Sequence, residues 1–260
     1  MSRVALGVEY DGTAYCGWQI QPHAPSVQAT LNAAISVVAN QPTTCVAAGR
    51  TDTGVHATCQ VVHFDAGVER DPRSWLLGIN SNLPDDVAVF GVWPVDEAFS
   101  ARYSAIGRSY RYVILNRPTR SPLERDRAWW LRGDLDHDAM ALAASRLLGK
   151  HDFSSFRASG CQAHSPVREL RRLDVRREAD RIIVDCHANA FLHHMVRNIV
   201  GTLVRVARGE ADADWVAGLV DRRDRRLAGI TAPAHGLTLT RVDYPEPFER
   251  VGRTEPKRDD

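Results

Sequence analysis

Residues 45–64 read Cys45-Val46-Ala47-Ala48-Gly49-Arg50-Thr51-Asp52-Thr53-Gly54-Val55-His56-Ala57-Thr58-Cys59-Gln60-Val61-Val62-His63-Phe64. The runs at 45–48 and 60–64 are apolar and rich in β-branched residues, which predicts two short strands with a glycine-bounded loop between them. Glycine allows a sharp turn or a positive φ, so the loop can project its polar side chains. Arg50 and Asp52, two apart, share a face wherever the backbone between them is extended. A carboxylate beside a guanidinium is held below its usual pKa and stays ionised in a partly dry pocket, as a nucleophilic or charge-stabilising aspartate requires. Thr51-Asp52-Thr53-Gly54 is equally sound turn chemistry, with Asp52 bonding nearby backbone, so the local pattern alone leaves a structural role open.

The chain of 260 residues is long enough for one large domain or two halves of ordinary size. Its apolar share of 44% and charged share of 25% are those of a soluble globular protein. No apolar run approaches the ~20 residues that span a bilayer, and Met1-Ser2-Arg3-Val4 has no signal-peptide shape. The cysteines at 16, 45, 59, 161 and 186 are scattered and odd in number, a pattern that predicts reduced thiols in a cytoplasmic protein. Net charge is +1, yet Lys150 and Lys257 are the only lysines, so nearly every cation is an arginine. The planar guanidinium suits phosphate and stacks on bases, and a near-neutral protein binds RNA when its cations share one surface.

Alternation of Val4, Leu6, Val8 and Tyr10 with Ala5, Gly7 and Glu9 predicts a half-buried strand. Ser26 is an N-cap for a helix over 27–39, and further helices are expected at 73–80, 137–148, 193–208 and 215–220. Strands are expected at 87–95, 108–115, 168–177, 181–188 and 236–242, the pair at 168–188 turning near Ala179-Asp180. In the helix over 193–208, Met195, Ile199, Leu203 and Val206 or Ala207 form the buried side. The order predicts an α+β protein in two similar halves, 1–105 and 106–245, with helices against a largely antiparallel mixed sheet. Residues 246–260 offer little to bury and are expected to be a loose tail.

Gly49-Arg50-Thr51-Asp52-x-Gly54-Val55-His56 resembles the catalytic loop of the tRNA pseudouridine synthases of the A type. Tyr10-Asp11-Gly12-Thr13 with Gly17-Trp18-Gln19 is similar to that family's N-terminal strand and loop. Arg108-Ser109-Tyr110-Arg111-Tyr112 resembles its tyrosine strand, and His193-His194-Met195-Val196-Arg197-Asn198-Ile199-Val200-Gly201 its second-half helix. Ser154-Ser155-Phe156-Arg157, ahead of Cys161-Gln162, also fits. The resemblance implies two ferredoxin/RRM-like halves with an active-site cleft between them. It also implies isomerisation of uridine to pseudouridine in the tRNA anticodon stem-loop, at about positions 38 to 40, by a homodimer. The reaction has no redox step and no group donor, so no cofactor is expected.

The resemblance makes Asp52 the catalytic group, attacking the uridine covalently or removing a sugar proton on the way to a glycal. Tyr110 would hold the loosened uracil by stacking, although an alternating core face with Tyr112 and Ile114 explains it as well on pattern alone. Arg197 would pair with the catalytic aspartate, Arg50 would contact uridine or RNA, and Leu237 would form an apolar wall beneath the base, with Leu239 nearly as suitable. Thr53 stands where the family commonly has alanine, and Ser109 where a basic residue is common; neither change removes a catalytic group.

The histidines at 56, 63, 187, 193 and 194 lack metal-ligand spacing, so no metal is expected. The arginine runs at 168–172 and 222–226 are solvated faces or part of an RNA groove. Two rivals stand beside the enzyme: a non-catalytic RNA-binding protein on the same scaffold, and a metal-dependent hydrolase built on the histidines and Asp52.

Overall fold

The computed structural model describes residues 2–253. Its elements in chain order are β1 (Ser2–Tyr10), α1 (Val27–Ala39), β2 (Val46–Ala47), β3 (His56–Ala66), α2 (Pro72–Asn80), β4 (Val87–Val95), β5 (Gly107–Asn116), β6 (Trp129–Leu131), α3 (His137–Ser145), β7 (Gly149–Asp152), β8 (Val167–Glu178), β9 (Arg181–Ala188), α4 (Met195–Ala207), α5 (Ala213–Arg222) and β10 (Leu237–Asp243). The architecture is α+β, and the named pairings are antiparallel except β5 with β6. The chain divides into two compact units, Met1–Ile106 with Leu239–Asp260, and Gly107–Thr238.

In the first unit β1 lies between β3 and β4, and β2 adds to β3 opposite His63 and Val62. Ser26 caps α1 by accepting from the amide of Ala29, and Asp71 caps α2 from Ser74 with a proline at the first turn. These helices bury Leu31, Ile35, Trp75 and Ile79, and Trp75 meets Phe64 of β3 edge-on at 5.2 Å. The half-buried reading of β1 is corrected here: Val4 to Val8 are all buried. The Phe90 ring lies over Gly7, where a side chain would stand, and Phe90 packs on Trp93, so the second face of β1 is covered too.

The expected boundary at 245 and the loose tail also differ from the structure. From Leu239 the chain groups with the first unit, because Tyr244 and Phe248 pack on Phe99 at 5.0 Å each and Val251 is buried. The Tyr244 hydroxyl donates to the Ala101 carbonyl at 2.8 Å, and the Cys59 thiol donates to the Gly252 carbonyl. Three apolar anchors among polar residues hold 244–251 down, a signal that average composition hides. The rest of the expected tail, 254–260, lies outside the described residues.

In the second unit the order is β5-β9-β8-β7, with β6 alongside the end of β5. The β8–β9 hairpin turns at Ala179, whose φ of 52° is left-handed. α3 packs on β8, and Met140, Ala143 and Ala144 join Leu170, Ile182 and Val184 in the core. α4 is buried on more than the expected stripe: Val196, Val200, Gly201 and Val204 are covered as well as Met195, Ile199, Leu203, Val206 and Ala207. The extra cover is the segment 229–232, which crosses the helix where Gly201 lacks a side chain and the Ile230 carbonyl takes its place. Fully buried Asn198 anchors the crossing. Its amide donates to the Phe156 carbonyl at 2.8 Å, and its oxygen accepts from Thr231 at 2.7 Å and Arg225 at 2.9 Å.

Candidate active site

The loop carrying Asp52 is held by hydrogen bonds to its backbone at both ends and by the Thr51 side chain beneath it. Before it, the Ala48 amide donates to the Val61 carbonyl at 2.8 Å, and Gln60 donates to the Gly49 carbonyl at 2.7 Å. Within it, the Trp18 amide donates to Thr51 O at 3.0 Å and the Gly54 amide to Tyr15 O at 3.3 Å. Val55 N then closes a turn on Asp52 O at 3.1 Å, and Gly54 has a φ of 76°. Gly17, at φ 90°, lies so close that an added Cβ would stand 2.8 Å from Thr51 O and 3.2 Å from Asp52 C. The segment Tyr15-Cys16-Gly17-Trp18 is therefore the seat of the loop.

Beneath the loop, the Tyr10 hydroxyl and Thr51 Oγ1 share a hydrogen bond of 2.8 Å in the core. Burial pushes the Tyr10 phenol up to about 12, partly offset by hydrogen bonds with Thr51 and Gln60. Val55 and His56 are buried at the far end. His56 Nδ1 accepts from the Gly12 amide at 3.0 Å and stands 3.0 Å from Asp11 Oδ1. Asp11 in turn accepts from the amide and hydroxyl of Thr13. Asp52 itself is half-buried and Arg50 is exposed. A carboxylate in this position has a fixed backbone and is half-buried.

The second unit contains Tyr110, Arg197 and Leu237. Tyr110 is half-buried on β5, whereas Tyr112 and Ile114 of the same alternating set are fully covered. Its ring meets Phe191 edge-on at 5.1 Å. Tyr112 is a core residue: its hydroxyl donates to the Pro233 carbonyl at 2.7 Å, and its ring fills the space against Gly236. Burial raises the Tyr112 phenol, and the charge of Arg197 opposes that rise. Arg197, in the first turn of α4, donates from Nε to the Ala232 carbonyl at 2.8 Å and accepts from the Ala232 amide on its own carbonyl at 3.1 Å. Leu237 is buried at the start of β10, directly after Gly236. Tyr112 and Arg197 thus fix 232–236 from two sides, and that segment sets where Leu237 begins.

Several of the histidines weighed as ligands have other partners. His63 Nδ1 accepts from the Ala101 amide at 3.1 Å, His187 Nδ1 bonds Ser109 Oγ at 3.1 Å, and His56 serves Gly12 as described. Sequence reasoning missed Tyr10, Thr51, Asp11 and Gly17 as supports of the loop, and Phe191 as the partner of Tyr110. Asp11-Gly12 and Gly17 lie in the motifs around Tyr10–Gln19, but their action depends on contacts spanning some forty positions, which no local pattern encodes.

The sequence profile of a family described as tRNA pseudouridine synthase matches residues 7–104 and 143–245. Relatives named tRNA pseudouridine synthase A agree over nearly the whole chain. That of Hydrogenovibrio crunogenus is 50% identical over 249 residues, 96% of this chain and 95% of its own. That of Shewanella denitrificans is 52% identical over 246 residues, 95% of this chain and 94% of its own. That of Nitrosococcus oceani is 51% identical over 247 residues, 95% of each. The matched ranges include the Asp52 loop, the Tyr10–Gln19 seat and the helix bearing Arg197. On both the profile and these identities, the chain belongs to the tRNA pseudouridine synthase family.

Proposed function

We propose that this isomerase converts uridine to pseudouridine in the tRNA anticodon stem-loop, at about positions 38 to 40, with Asp52 as its nucleophile or base. Isomerisation of tRNA uridine follows from family membership. The observation that supports Asp52 is the seat beneath it: backbone pinned by Trp18, Gly54 and Gly17, with the carboxylate half-buried at the surface. A reacting group gains most from such preorganisation, since a displacement of 1 Å costs up to about a hundredfold in rate.

The reaction breaks the N1–C1′ bond, turns the uracil and forms a C5–C1′ bond, and the C5 proton leaves as N1 gains one. Reactant and product contain the same atoms, so no co-substrate is consumed. Asp52 acts either by covalent attack on the uridine or by taking a sugar proton toward a glycal. A uridine in a paired stem must first be extruded, at a few kcal/mol. Tyr110 holds the detached uracil by its ring face and Leu237 closes the apolar wall beneath it. Arg197 stabilises the aspartate's charge, and Arg50, exposed beside Asp52, contacts the RNA. Two copies act together on one tRNA, in the cytoplasm. Among the described residues no helix is long and apolar enough to cross a membrane.

The test is incubation of the purified protein with unmodified tRNA, followed by chemical labelling of pseudouridine. New label at positions 38 to 40 is expected. Labelling elsewhere overturns the assigned positions, and binding without labelling favours a non-catalytic RNA-binding protein.

A further inference from the structure

The second unit has a cavity of about 480 Å3 beside β6, with His235 among its lining residues. We propose that it is a second RNA site, holding one unpaired nucleotide of the tRNA other than the target uridine; this rests on the isomerase reading of the protein. Three features give the chemistry. The lining includes two indoles, Trp129 and Trp130, consecutive on β6 and so on opposite faces of the strand, with buried Leu115 opposite Trp130. Aromatic platforms of this kind bind nucleobases irrespective of sequence. The rim includes Arg120 and Arg125, both exposed, whose guanidiniums suit a phosphate. The acid in the same wall, Glu124, is engaged by Arg181 through both carboxylate oxygens, so its charge is offset.

The cavity is preformed. Trp130 Nε1 donates to the Arg117 carbonyl at 3.0 Å, and the Arg132 guanidinium stands 4.7 Å from the centre of its ring. Arg117 binds the carbonyls of Thr119 and Arg120 and the carboxylate of Asp180, which stiffens the loop between β5 and β6. Its volume lies within the roughly 300–1,000 Å3 of small-ligand sites. Leu115 is five residues along β5 from Tyr110, about 17 Å at strand rise. A nucleotide here is therefore distinct from one on Tyr110.

Ultraviolet cross-linking of the full-length protein to tRNA, read by mass spectrometry of the peptides, tests this directly. The expected result is an RNA adduct on the peptide containing Trp129 and Trp130, lost in an Arg120→Glu/Arg125→Glu variant. Both arginines are exposed and, among the described residues, Arg125 pairs with its neighbour Asp126, so the fold is retained, which circular dichroism checks. The same variant should bind tRNA roughly tenfold or more weakly, with a salt dependence shallower by about two charges. Unchanged affinity, or adducts only elsewhere while pseudouridine still forms, overturns the second site and leaves the isomerase intact. Sedimentation of a Leu123→Arg variant covers the other occupant, since Leu123 projects from this loop with 93% of its surface exposed. If that change converts a dimer to monomers, a second copy covers the cavity and the proposal falls. No binding of tRNA at all would overturn both readings.

Discussion

The Tyr10 hydroxyl lies 2.8 Å from Thr51 Oγ1, a buried bond between β1 and the residue before Asp52. Neither oxygen reaches water, so removing one leaves the other without that partner. Tyr10→Phe and Thr51→Val are each expected to cost about 1–3 kcal/mol in urea unfolding. Both should also slow pseudouridine formation, because the loop loses support from below, whereas a surface change such as Arg73→Ala should do neither.

Gly17 tests the seat from the other side. Alanine there would need a φ near 90° and would bring its Cβ to 2.8 Å from Thr51 O. Gly17→Ala is expected to displace the loop and cut turnover by up to roughly a hundredfold, with a smaller change in tRNA affinity. Single-turnover rates and a binding titration separate the two effects.

Alkaline stability follows from the buried phenols. Burial lifts Tyr10 to about 12, above the value of about 10 expected in the unfolded chain. Its contribution to stability is therefore complete below pH 10 and is lost as pH rises through about 12. Tyr112 is raised by burial in the same direction. The urea midpoint is expected to fall across this window, and to fall less steeply in Tyr10→Phe; equal slopes would contradict the assignment.

Tyr110 and Tyr112 should behave differently although they alternate on one strand. Tyr110 is half-buried, and its proposed role needs a ring more than a hydroxyl. Tyr110→Phe is expected to keep substrate affinity, while Tyr110→Ala loses about 1–3 kcal/mol of stacking. Tyr112→Phe, which removes the bond to Pro233, should lower thermal stability first.

Much of the fold was legible in the sequence because local signals agreed. The Ser26 cap, the turn near Ala179-Asp180 and the alternation of β5 each depend on neighbours in the chain. What was not legible came from distant packing. The cover on the second face of β1 comes from Phe90, the extra burial of α4 from 229–232, and the docking of 244–251 from Phe99. For the site, Asp52 and Arg197 stand in motifs dense enough to be noticed. Their supports, Tyr10 beneath Thr51 and Ala232 against Arg197, are ordinary residues marked only by position in space. Alternation alone did not separate Tyr110 from Tyr112; the family resemblance pointed to Tyr110, and the structure adds a difference in burial.

The most direct measurement compares wild type with Asp52→Ala on the same unmodified tRNA, with pseudouridine mapped over time and folding checked by thermal melting. A folded variant that binds tRNA but forms pseudouridine more slowly by roughly 10²–10⁴-fold or more is the predicted outcome. A folded variant that still modifies the tRNA at close to the wild-type rate would contradict the account.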